Sequence, residues 1–296
     1  MDITLRKKAG AVTIPLLGFL NRNGLIINLW NRPGNTSSGN NSIGFFDECY
    51  SRVQPLLDLK GVIADSGFYS ESFVEHLSSK GLPCIIAAKL YSTLQRAVFA
   101  QDNWEEIDRG LSVCDFTFRH DGWEKPYRYV AVRQTISKRK KAIGKQLSLF
   151  EIETADYRYS VWLTTKAGTP YEVWKLVRPR SNDENVIKAF KEDFALGGFS
   201  MKSFYATEAA MVIRALIYNI FVLFRQEIMS KKERHKRLKT LRYQYFIIPA
   251  HLGISGHQHV LRLSAHTKKL KSKINYLLHQ VRQYVPPDYV IRNALE

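Results

Sequence analysis

The stretch Gly61-Val-Ile-Ala-Asp-Ser-Gly-Phe68 decides the fold class of this chain. Its first four residues predict a short buried strand, and that strand ends at Asp65. Gly67 permits a tight turn, so that the carboxylate can project from the rim of a sheet. In open α/β sheets, ligands bind at the carboxyl ends of the strands. Asp65 is therefore a candidate ligand, and the alternative is that it caps the start of the next helix.

Strand and helix patterns alternate around this segment. Two apolar runs, 12–20 and 25–31, are joined by Asn-Arg-Asn-Gly, which is a strong hairpin signal. Two helical patterns and a second apolar strand follow, at 42–57, 70–80 and 83–88. The order hairpin, helix, strand, helix, strand predicts an α/β fold with a mixed sheet.

The pattern changes between residues 92 and 165. No helical period is convincing in this segment, and three alternating runs predict strands, over 113–118, 127–133 and 157–164. We interpret the segment as a β-rich insertion that carries a charged loop over 138–145.

Helical patterns return at 182 and again over 203–228. The run 209–224 is apolar apart from Arg214 and Asn219. It is shorter than the ~20 residues that a membrane span needs, so we expect a buried helix and no membrane contact. Near the end of the chain, three histidines lack the frame of a metal site and are expected in a loop: His251, His257 and His259.

Composition and charge favour a cytoplasmic protein that binds a polyanion. The 296 residues are 45% hydrophobic and carry a net charge of +17. A globular chain this basic usually binds nucleic acid, with an anionic membrane surface as the second candidate. Seven Lys/Arg and one acid lie within 231–242, and a second basic cluster spans 268–273. Three widely spaced cysteines, Cys49, Cys84 and Cys114, are expected to be reduced thiols.

The segment Arg180-Ser-Asn-Asp-Glu-Asn-Val-Ile-Lys-Ala-Phe-Lys191 contains a carboxylate flanked by two cations. In a helix, Arg180, Glu184 and Lys191 fall within about 60° of one another. An apolar stripe lies on a different face, at Val186, Ile187, Phe190 and Phe194. The arrangement suits a carboxylate that holds a metal while its neighbours bind phosphate. The alternative is a capping box, in which Glu184 satisfies backbone donors at a helix start.

Together these motifs resemble the DDE transposases of bacterial insertion sequences, in the branch with a β-rich insertion between the second Asp and the Glu. The resemblance covers nearly the whole chain and is carried by further landmarks in the family's order: Ile14-Pro-Leu-Leu-Gly-Phe19, the Arg-Pro-Gly-Asn loop, Gly122-Trp123, Leu163-Thr-Thr165 and Tyr218-Asn219-Ile220. It implies a ribonuclease-H-like core and Mg²⁺ or Mn²⁺ as the cofactor. It also implies double-stranded DNA as the partner, both transposon inverted-repeat ends and target DNA, with a homodimer in the DNA complex as a candidate assembly.

The resemblance assigns roles to particular residues. Asp65 matches the family's second aspartate and Glu184 its glutamate, which implies that both are catalytic metal ligands. Arg180 and Lys191 match the cations around that glutamate and would contact DNA phosphates. The family's tyrosine falls at Val177, where this sequence departs from the pattern.

The family's first aspartate has no clear match in this chain. In the family it lies on a central strand ahead of the Pro-Leu-Leu hairpin, and Asp2 is the sole acid in the corresponding part of this sequence. We therefore expect an N-terminally truncated transposase that lacks its central first strand and is inactive alone. The alternative is a catalytically inactive remnant that only binds DNA or oligomerises.

The expected organisation of the chain follows the same resemblance. The first part of the catalytic core covers 1–91, and the β-rich insertion covers 92–165. The second part of the core, with the Glu helix, covers 166–229, and a basic C-terminal region covers 230–296. We expect a bacterial cytoplasmic protein associated with the nucleoid.

A separate motif, Gln146-Leu-Ser-Leu-Phe150, resembles the short peptide by which bacterial replication proteins dock on the sliding clamp. Gln146 would form hydrogen bonds, while Leu147, Leu149 and Phe150 would fill an apolar pocket. The alternative is that these residues begin a strand of the insertion.

Overall fold

The computed structural model describes most of the chain. The described ranges are 15–21, 23–34, 36, 39–136, 151–154, 156–178, 188–190, 192–194, 203–265 and 267–285. The chain forms two compact units, which are Met1–Phe19 with Ile27–Glu184 and Leu20–Ile26 with Asn185–Glu296. The first unit contains a large sheet, and the second contains a long apolar helix and the basic C-terminal segments.

The hairpin predicted near the start of the chain is confirmed. β1 (Leu16–Phe19) and β2 (Ile26–Trp30) form a two-stranded sheet, and the first residue of β2 belongs to the second unit. Gly24 in the connecting turn has φ 73°, a conformation that glycine adopts without steric cost. Gly18 in β1 is packed tightly, because an added Cβ would lie 2.8 Å from Cys49 Sγ.

A seven-stranded mixed sheet organises the rest of the first unit. Its strands are β3 (Val62–Ala64), β4 (Cys84–Ala87), β5 (Glu105–Asp108), β6 (Leu111–Phe118), β7 (Tyr127–Thr135), β8 (Glu151–Glu153) and β9 (Tyr157–Thr164). The order is β3-β4-β9-β7-β6-β5, with β8 paired to β9. β3 and β4 are parallel and the other neighbours are antiparallel. The strands predicted after residue 92 therefore exist, and they continue the same sheet as β3 and β4.

Helices cover both faces of this sheet. They are α1 (Ser42–Val53), α2 (Glu71–Ser79), α3 (Ser92–Phe99) and α4 (Pro170–Val177). Successive residues of a strand point to opposite faces, which produces two cores. One core packs α1, α2 and α3 against a face that includes Ile86 and Tyr129. The other core packs Val173 and Val177 of α4 against Trp162.

The helix predicted over 70–80 is confirmed by α2. Ser70 caps the helix start, since its hydroxyl accepts a hydrogen bond from the backbone N–H of Phe73. Gly81 follows the helix end with φ 68°, a left-handed conformation that stops helices. The buried residues of α2 are Phe73, Val74 and Leu77.

Two helix predictions in the first unit need correction. α1 ends at Val53 and does not reach residue 57, because Pro55 has no backbone N–H to continue the helix. α3 lies in the segment where the sequence predicts no helix. Its buried residues are Leu94 and Val98, and a single i,i+4 pair is too short a pattern to reveal a period.

The second unit is built around α5 (Phe204–Leu223), which continues into a π-helical turn at Phe224–Ile228. One face of α5 is buried, at Thr207, Met211, Ala215, Tyr218 and Val222. Another face exposes apolar side chains, including Val212, Ile213, Leu216, Ile217 and Ile220. The helix that the sequence predicts to be buried is therefore buried along one side only. Apolar side chains of the same helix also occupy its exposed face. By length and composition, Phe204–Ile228 could cross a membrane, with a mean hydropathy of 1.6, and core helices of soluble proteins pass the same test.

Two sets of contacts hold α5 within the second unit. Asn219 Oδ1 accepts a hydrogen bond from the backbone N–H of Ile26, and Asn219 Nδ2 donates to the carbonyl of Ile26, both at 2.8 Å. Phe190 is fully buried, and its ring centroid lies 5.7 Å from that of Tyr218. Phe194 also packs on Tyr218, at 5.5 Å. Phe190 and Phe194 therefore occupy the apolar environment that their predicted stripe requires.

The C-terminal segments form a small cluster of short elements. These are α6 (Leu238–Leu241), a π-helical turn at Arg242–Phe246, β10 (Ala250–Ser255), β11 (Gln258–Leu263) and α7 (Lys268–Gln283). Met229, Leu241 and Tyr245 form their shared core, against which Leu277 of α7 packs. The second basic cluster, 268–273, lies on α7.

His251, His257 and His259 lie in a hairpin, which corrects the predicted loop. β10 and β11 pair antiparallel, with His251 opposite Arg262 and His259 opposite Ile254. Adjacent pairs in such a ladder alternate between faces, so His251 and His259 point to opposite sides. His257 occupies the turn with φ 62°. The hairpin geometry keeps the three imidazoles from converging on one ion.

Candidate functional site

Asp65 lies at the carboxyl end of β3, where the sequence places it. Its backbone is extended, with φ −86° and ψ 168°, and the chain then enters a 3₁₀ turn at Ser66–Phe68. Asp65 Oδ1 accepts a hydrogen bond from the backbone N–H of Gly67 at 2.9 Å. Ser66 Oγ lies 3.4 Å from the same oxygen. The capping role and the position at the rim of the sheet therefore occur together.

The loop that follows β2 comes close to the Asp65 turn. A Cβ added at Gly39 would lie 3.3 Å from the carbonyl oxygen of Gly67. This approach brings the end of the Arg-Pro-Gly-Asn loop to the carboxyl end of β3. Two landmarks that are separate in sequence thus meet beside Asp65.

An aromatic cluster includes Tyr69, which directly follows the same turn. Tyr69 packs on Trp123 with ring centroids 5.1 Å apart, and His120 lies 5.8 Å from Trp123. The hydroxyls of Tyr69 and Tyr129 are 2.6 Å apart. Burial, together with the neighbouring phenol, raises the pKa of Tyr69, and burial raises that of Tyr129 to about 12. These phenols stay protonated at neutral pH, so the cluster braces the turn through packing and one neutral hydrogen bond.

The three cysteines are free, as the sequence predicts. Burial raises the pKa of Cys49 to about 11 and that of Cys114 to about 12. Burial also raises the pKa of Cys84. The thiolate is the nucleophilic form, so these protonated thiols are poor candidates for covalent catalysis.

The remaining predicted site residues lie outside the described residues. They are Glu184, Arg180 and Lys191, and the candidate clamp-docking residues Gln146, Leu147, Leu149 and Phe150. Their roles stay predictions. Among the residues that the structure describes, no group of three or more His, Cys, Asp or Glu could hold a metal ion. Asp65 is thus the one predicted ligand with a described geometry.

The formal charge is concentrated in the second unit. Its 20 Lys/Arg and 7 Asp/Glu give it a net charge of +13, whereas the first unit has 24 Lys/Arg and 20 Asp/Glu, or +4. The second unit is also the smaller of the two. A positive density of this kind attracts phosphate backbones.

Sequence inspection missed one residue that organises this positive charge. Glu233 is the sole acid within residues 231–242, and its carboxylate accepts hydrogen bonds from Lys236, Tyr245 and Lys273. A lone acid inside a basic run is the signal that could have identified it. The network places a fixed negative charge within the most basic segment of the chain.

A mixed α/β sheet with a carboxylate at the end of a parallel strand, together with a strongly basic unit, defines a candidate nucleic-acid-processing protein. The model of the family Transposase DDE domain group 1 matches residues 12–285, and the chain belongs to this family. No curated protein matches the chain. DDE transposases have a ribonuclease-H-like fold, typically use a divalent metal and bind DNA.

Proposed function

We propose that this chain derives from a transposase that cuts and joins DNA at transposon ends by metal-dependent chemistry. The observation that carries the proposal is Asp65 at the carboxyl end of β3, in a chain that matches the family over residues 12–285. Asp65 and Glu184 would be the ligands, since carboxylate oxygens are the ligands that Mg²⁺ prefers. A bound divalent metal would activate the attacking water or 3′-hydroxyl and stabilise the leaving oxygen.

Positive charge determines the roles proposed for Arg180, Lys191 and the second unit. Arg180 and Lys191 would contact phosphates near the scissile bond, which positions the DNA without reading its sequence. The +13 second unit would supply most of the sequence-independent attraction. The partner is double-stranded DNA, both transposon ends and target, and a homodimer on the DNA is part of the proposal. The site of action is the bacterial cytoplasm at the nucleoid.

We further propose that a complete catalytic core has one more strand beside β3. Within the described residues, β3 pairs with β4 on one side and is the end of the sheet order, while β1 and β2 form a sheet of their own. No strand of the described residues pairs with the other edge of β3, which supports a place there for one more strand. A carboxylate on that strand would complete the ligand set. We expect the isolated chain to be inactive because two ligands hold a two-metal centre poorly.

A specific observation also favours the second candidate function, a catalytically inactive remnant. The positive charge of the second unit does not depend on a complete metal site. Such a protein would bind DNA ends or form mixed oligomers with an intact transposase. Both candidates predict salt-sensitive DNA binding, and only a cleavage product would exclude the inactive remnant.

The experiment is a DNA cleavage and strand-transfer assay on the purified chain with Mg²⁺ and the DNA that flanks its gene. We expect no product from the chain alone, and robust Mg²⁺-dependent cleavage would show that its own residues supply a working ligand set. If cleavage occurs, Asp65→Asn and Glu184→Gln should each abolish it, because a metal ligand is lost. Asp102→Asn is the matched control, since Asp102 is an exposed acid elsewhere in the first unit.

The sliding clamp remains a candidate partner through residues 146–150. The proposal rests on the motif and on the basic segment 138–145 that precedes it. We expect Leu149→Ala plus Phe150→Ala to abolish capture of the clamp in a pull-down. Leu56→Ala plus Leu57→Ala is the control, because these two leucines are exposed elsewhere in the first unit. Unchanged capture by the Leu149→Ala plus Phe150→Ala variant would show that the clamp is not a partner through this motif.

A further inference from the structure

Two basic segments near the end of the chain, 231–242 and 268–273, form what we call the basic C-terminal cluster. Glu233 is the centre of a polar network within it. Lys273 Nζ, on α7, donates to Glu233 Oε1 at 2.8 Å, and Lys236 Nζ donates to the same oxygen at 3.1 Å. The hydroxyl of Tyr245 donates to Glu233 Oε2. The network therefore joins α7 to the segment between α5 and β10.

Each lysine in this network has a second polar partner. Lys273 Nζ lies 3.2 Å from the hydroxyl of Tyr245 and 5.2 Å from the centroid of its ring. Lys236 Nζ donates to Gln244 Oε1 at 2.8 Å. An ammonium group has three donors, so at least two of the three are used on each lysine. Pulling either group toward a phosphate would break several contacts at once.

Burial makes these contacts stronger than ordinary surface ion pairs. The side chain of Glu233 is 12% exposed, and those of Lys236 and Lys273 are 30% and 31% exposed. Burial alone would raise the pKa of Glu233, but hydrogen bonds from Lys273, Tyr245 and Lys236 lower it to about 2. The carboxylate is therefore ionised throughout the physiological range of pH.

Other lysines of the same cluster are arranged differently. Lys231, Lys232, Lys268, Lys269 and Lys271 are all exposed. None of these five forms an ion pair with another residue in the described ranges. Their ammonium groups can move to a phosphate without breaking an ion pair to a described residue.

We propose that Glu233 withholds Lys236 and Lys273 from DNA, so that the exposed lysines around them make the phosphate contacts. The proposal rests on the DNA binding described above and divides the basic cluster into two classes. Lys236 and Lys273 are structural cations that fasten α7 in place. Lys231, Lys232, Lys268, Lys269 and Lys271 are the contact cations.

The test is the salt dependence of duplex DNA binding by the full chain, measured by fluorescence anisotropy between about 50 and 200 mM salt. Each phosphate contact contributes about 0.9 to the slope of log K against log salt concentration. Lys231→Gln plus Lys232→Gln should lower the slope by about 1.8. Lys236→Gln plus Lys273→Gln removes the same charge and should lower it by less than about 0.5. Equal losses in the two variants would overturn the proposal.

A second set of variants keeps the test valid if the Lys236/Lys273 variant folds poorly. Glu233→Gln should release the two lysines and steepen the slope by about 1 to 2. Glu233→Gln combined with Lys236→Gln and Lys273→Gln replaces the charged network with amides and should show no steepening. Glu227→Gln, an exposed acid in the same unit, is the charge-matched control and should leave the slope nearly unchanged.

Absence of DNA binding and absence of an effect of Glu233 give different results. If the unaltered chain shows no salt-dependent binding, DNA binding itself is wrong. If binding is salt-dependent but Glu233→Gln leaves the slope unchanged, the withholding of Lys236 and Lys273 is wrong.

Discussion

Buried hydroxyl groups near Asp65 form a hydrogen bond whose loss should change the free energy of unfolding. Tyr69 and Tyr129 are both buried, and their hydroxyls lie 2.6 Å apart. An unsatisfied buried hydroxyl costs about 1–3 kcal/mol, whereas removing both partners is nearly neutral. The pair is thus a local test of how the Asp65 turn is braced.

We expect Tyr129→Phe to lower the free energy of unfolding by about 1–3 kcal/mol, because the Tyr69 hydroxyl loses its partner. Chemical denaturation monitored by circular dichroism measures the change. The double variant Tyr69→Phe plus Tyr129→Phe should recover most of the loss. A double variant that is as unstable as the sum of the two single variants would show that the hydroxyls are not coupled.

At the scale of elements, α4 shows a helix start that is built from sequence-local contacts. Thr169 Oγ1 accepts a hydrogen bond from the backbone N–H of Glu172, and Glu172 Oε2 accepts one from the backbone N–H of Thr169. Pro170 occupies the first helical turn, where its missing N–H costs nothing. This capping box orients the helix whose Val173 and Val177 cover one face of the sheet.

Thr169→Ala should reduce the free energy of unfolding by about 1 kcal/mol, because the cap acceptor is lost. Thr169→Ser keeps the acceptor and should stay close to the unaltered chain. Urea denaturation of the three proteins side by side measures both effects. Equal losses for alanine and serine would mean that the methyl group, and not the hydroxyl, supports the helix.

Elements with local signals could be predicted from sequence, and elements that depend on distant partners could not. α2 was predictable because Ser70 and Gly81 mark its ends within the sequence itself. α4 carries the Thr-x-x-Glu signature of a capping box, which sequence inspection overlooked. α3 offers two buried residues and no such signature, so its helix depends on the sheet beneath it.

The features of the candidate site also differ in whether the local sequence predicts them. The strand before Asp65 places its carboxylate at the sheet edge, and that position needs no tertiary information. Gly39 approaches Gly67, and the Glu233 network joins α7 to an earlier segment. In both cases no periodic sequence pattern predicts that the two segments are in contact. Arg180, Glu184 and Lys191 remain predictions from the motif and the family resemblance.

At the scale of the whole molecule, net charge and ionised carboxylates together set the response to acid. The pKa of Glu233 is about 2 in the folded chain, against an ordinary value of 4.5. A carboxylate with a lowered folded pKa contributes stability that is full above its unfolded pKa. That contribution disappears as the pH falls through the folded pKa. In a chain of charge +17, further protonation also increases self-repulsion.

We therefore expect the free energy of unfolding to fall between about pH 4.5 and pH 2, with Glu233 supplying roughly 1–2 kcal/mol of the loss. Urea titrations at a series of pH values measure the profile. Glu233→Gln should flatten the profile in this window and leave the pH dependence above 5 unchanged. A profile for Glu233→Gln that parallels the unaltered chain down to pH 2 would contradict the assignment.

The hydrogen bonds between Asn219 and Ile26 also have a consequence for folding during synthesis. The two residues are 193 positions apart in the chain. Ribosomes add about 5–20 residues per second, so β2 waits roughly 10–40 s before its side-chain partner is made. During that interval the backbone amide and carbonyl of Ile26 lack this partner, and the early hairpin is open to other strands. Chaperone demand in the cell should therefore peak before α5 leaves the ribosome and decline once Asn219 has docked.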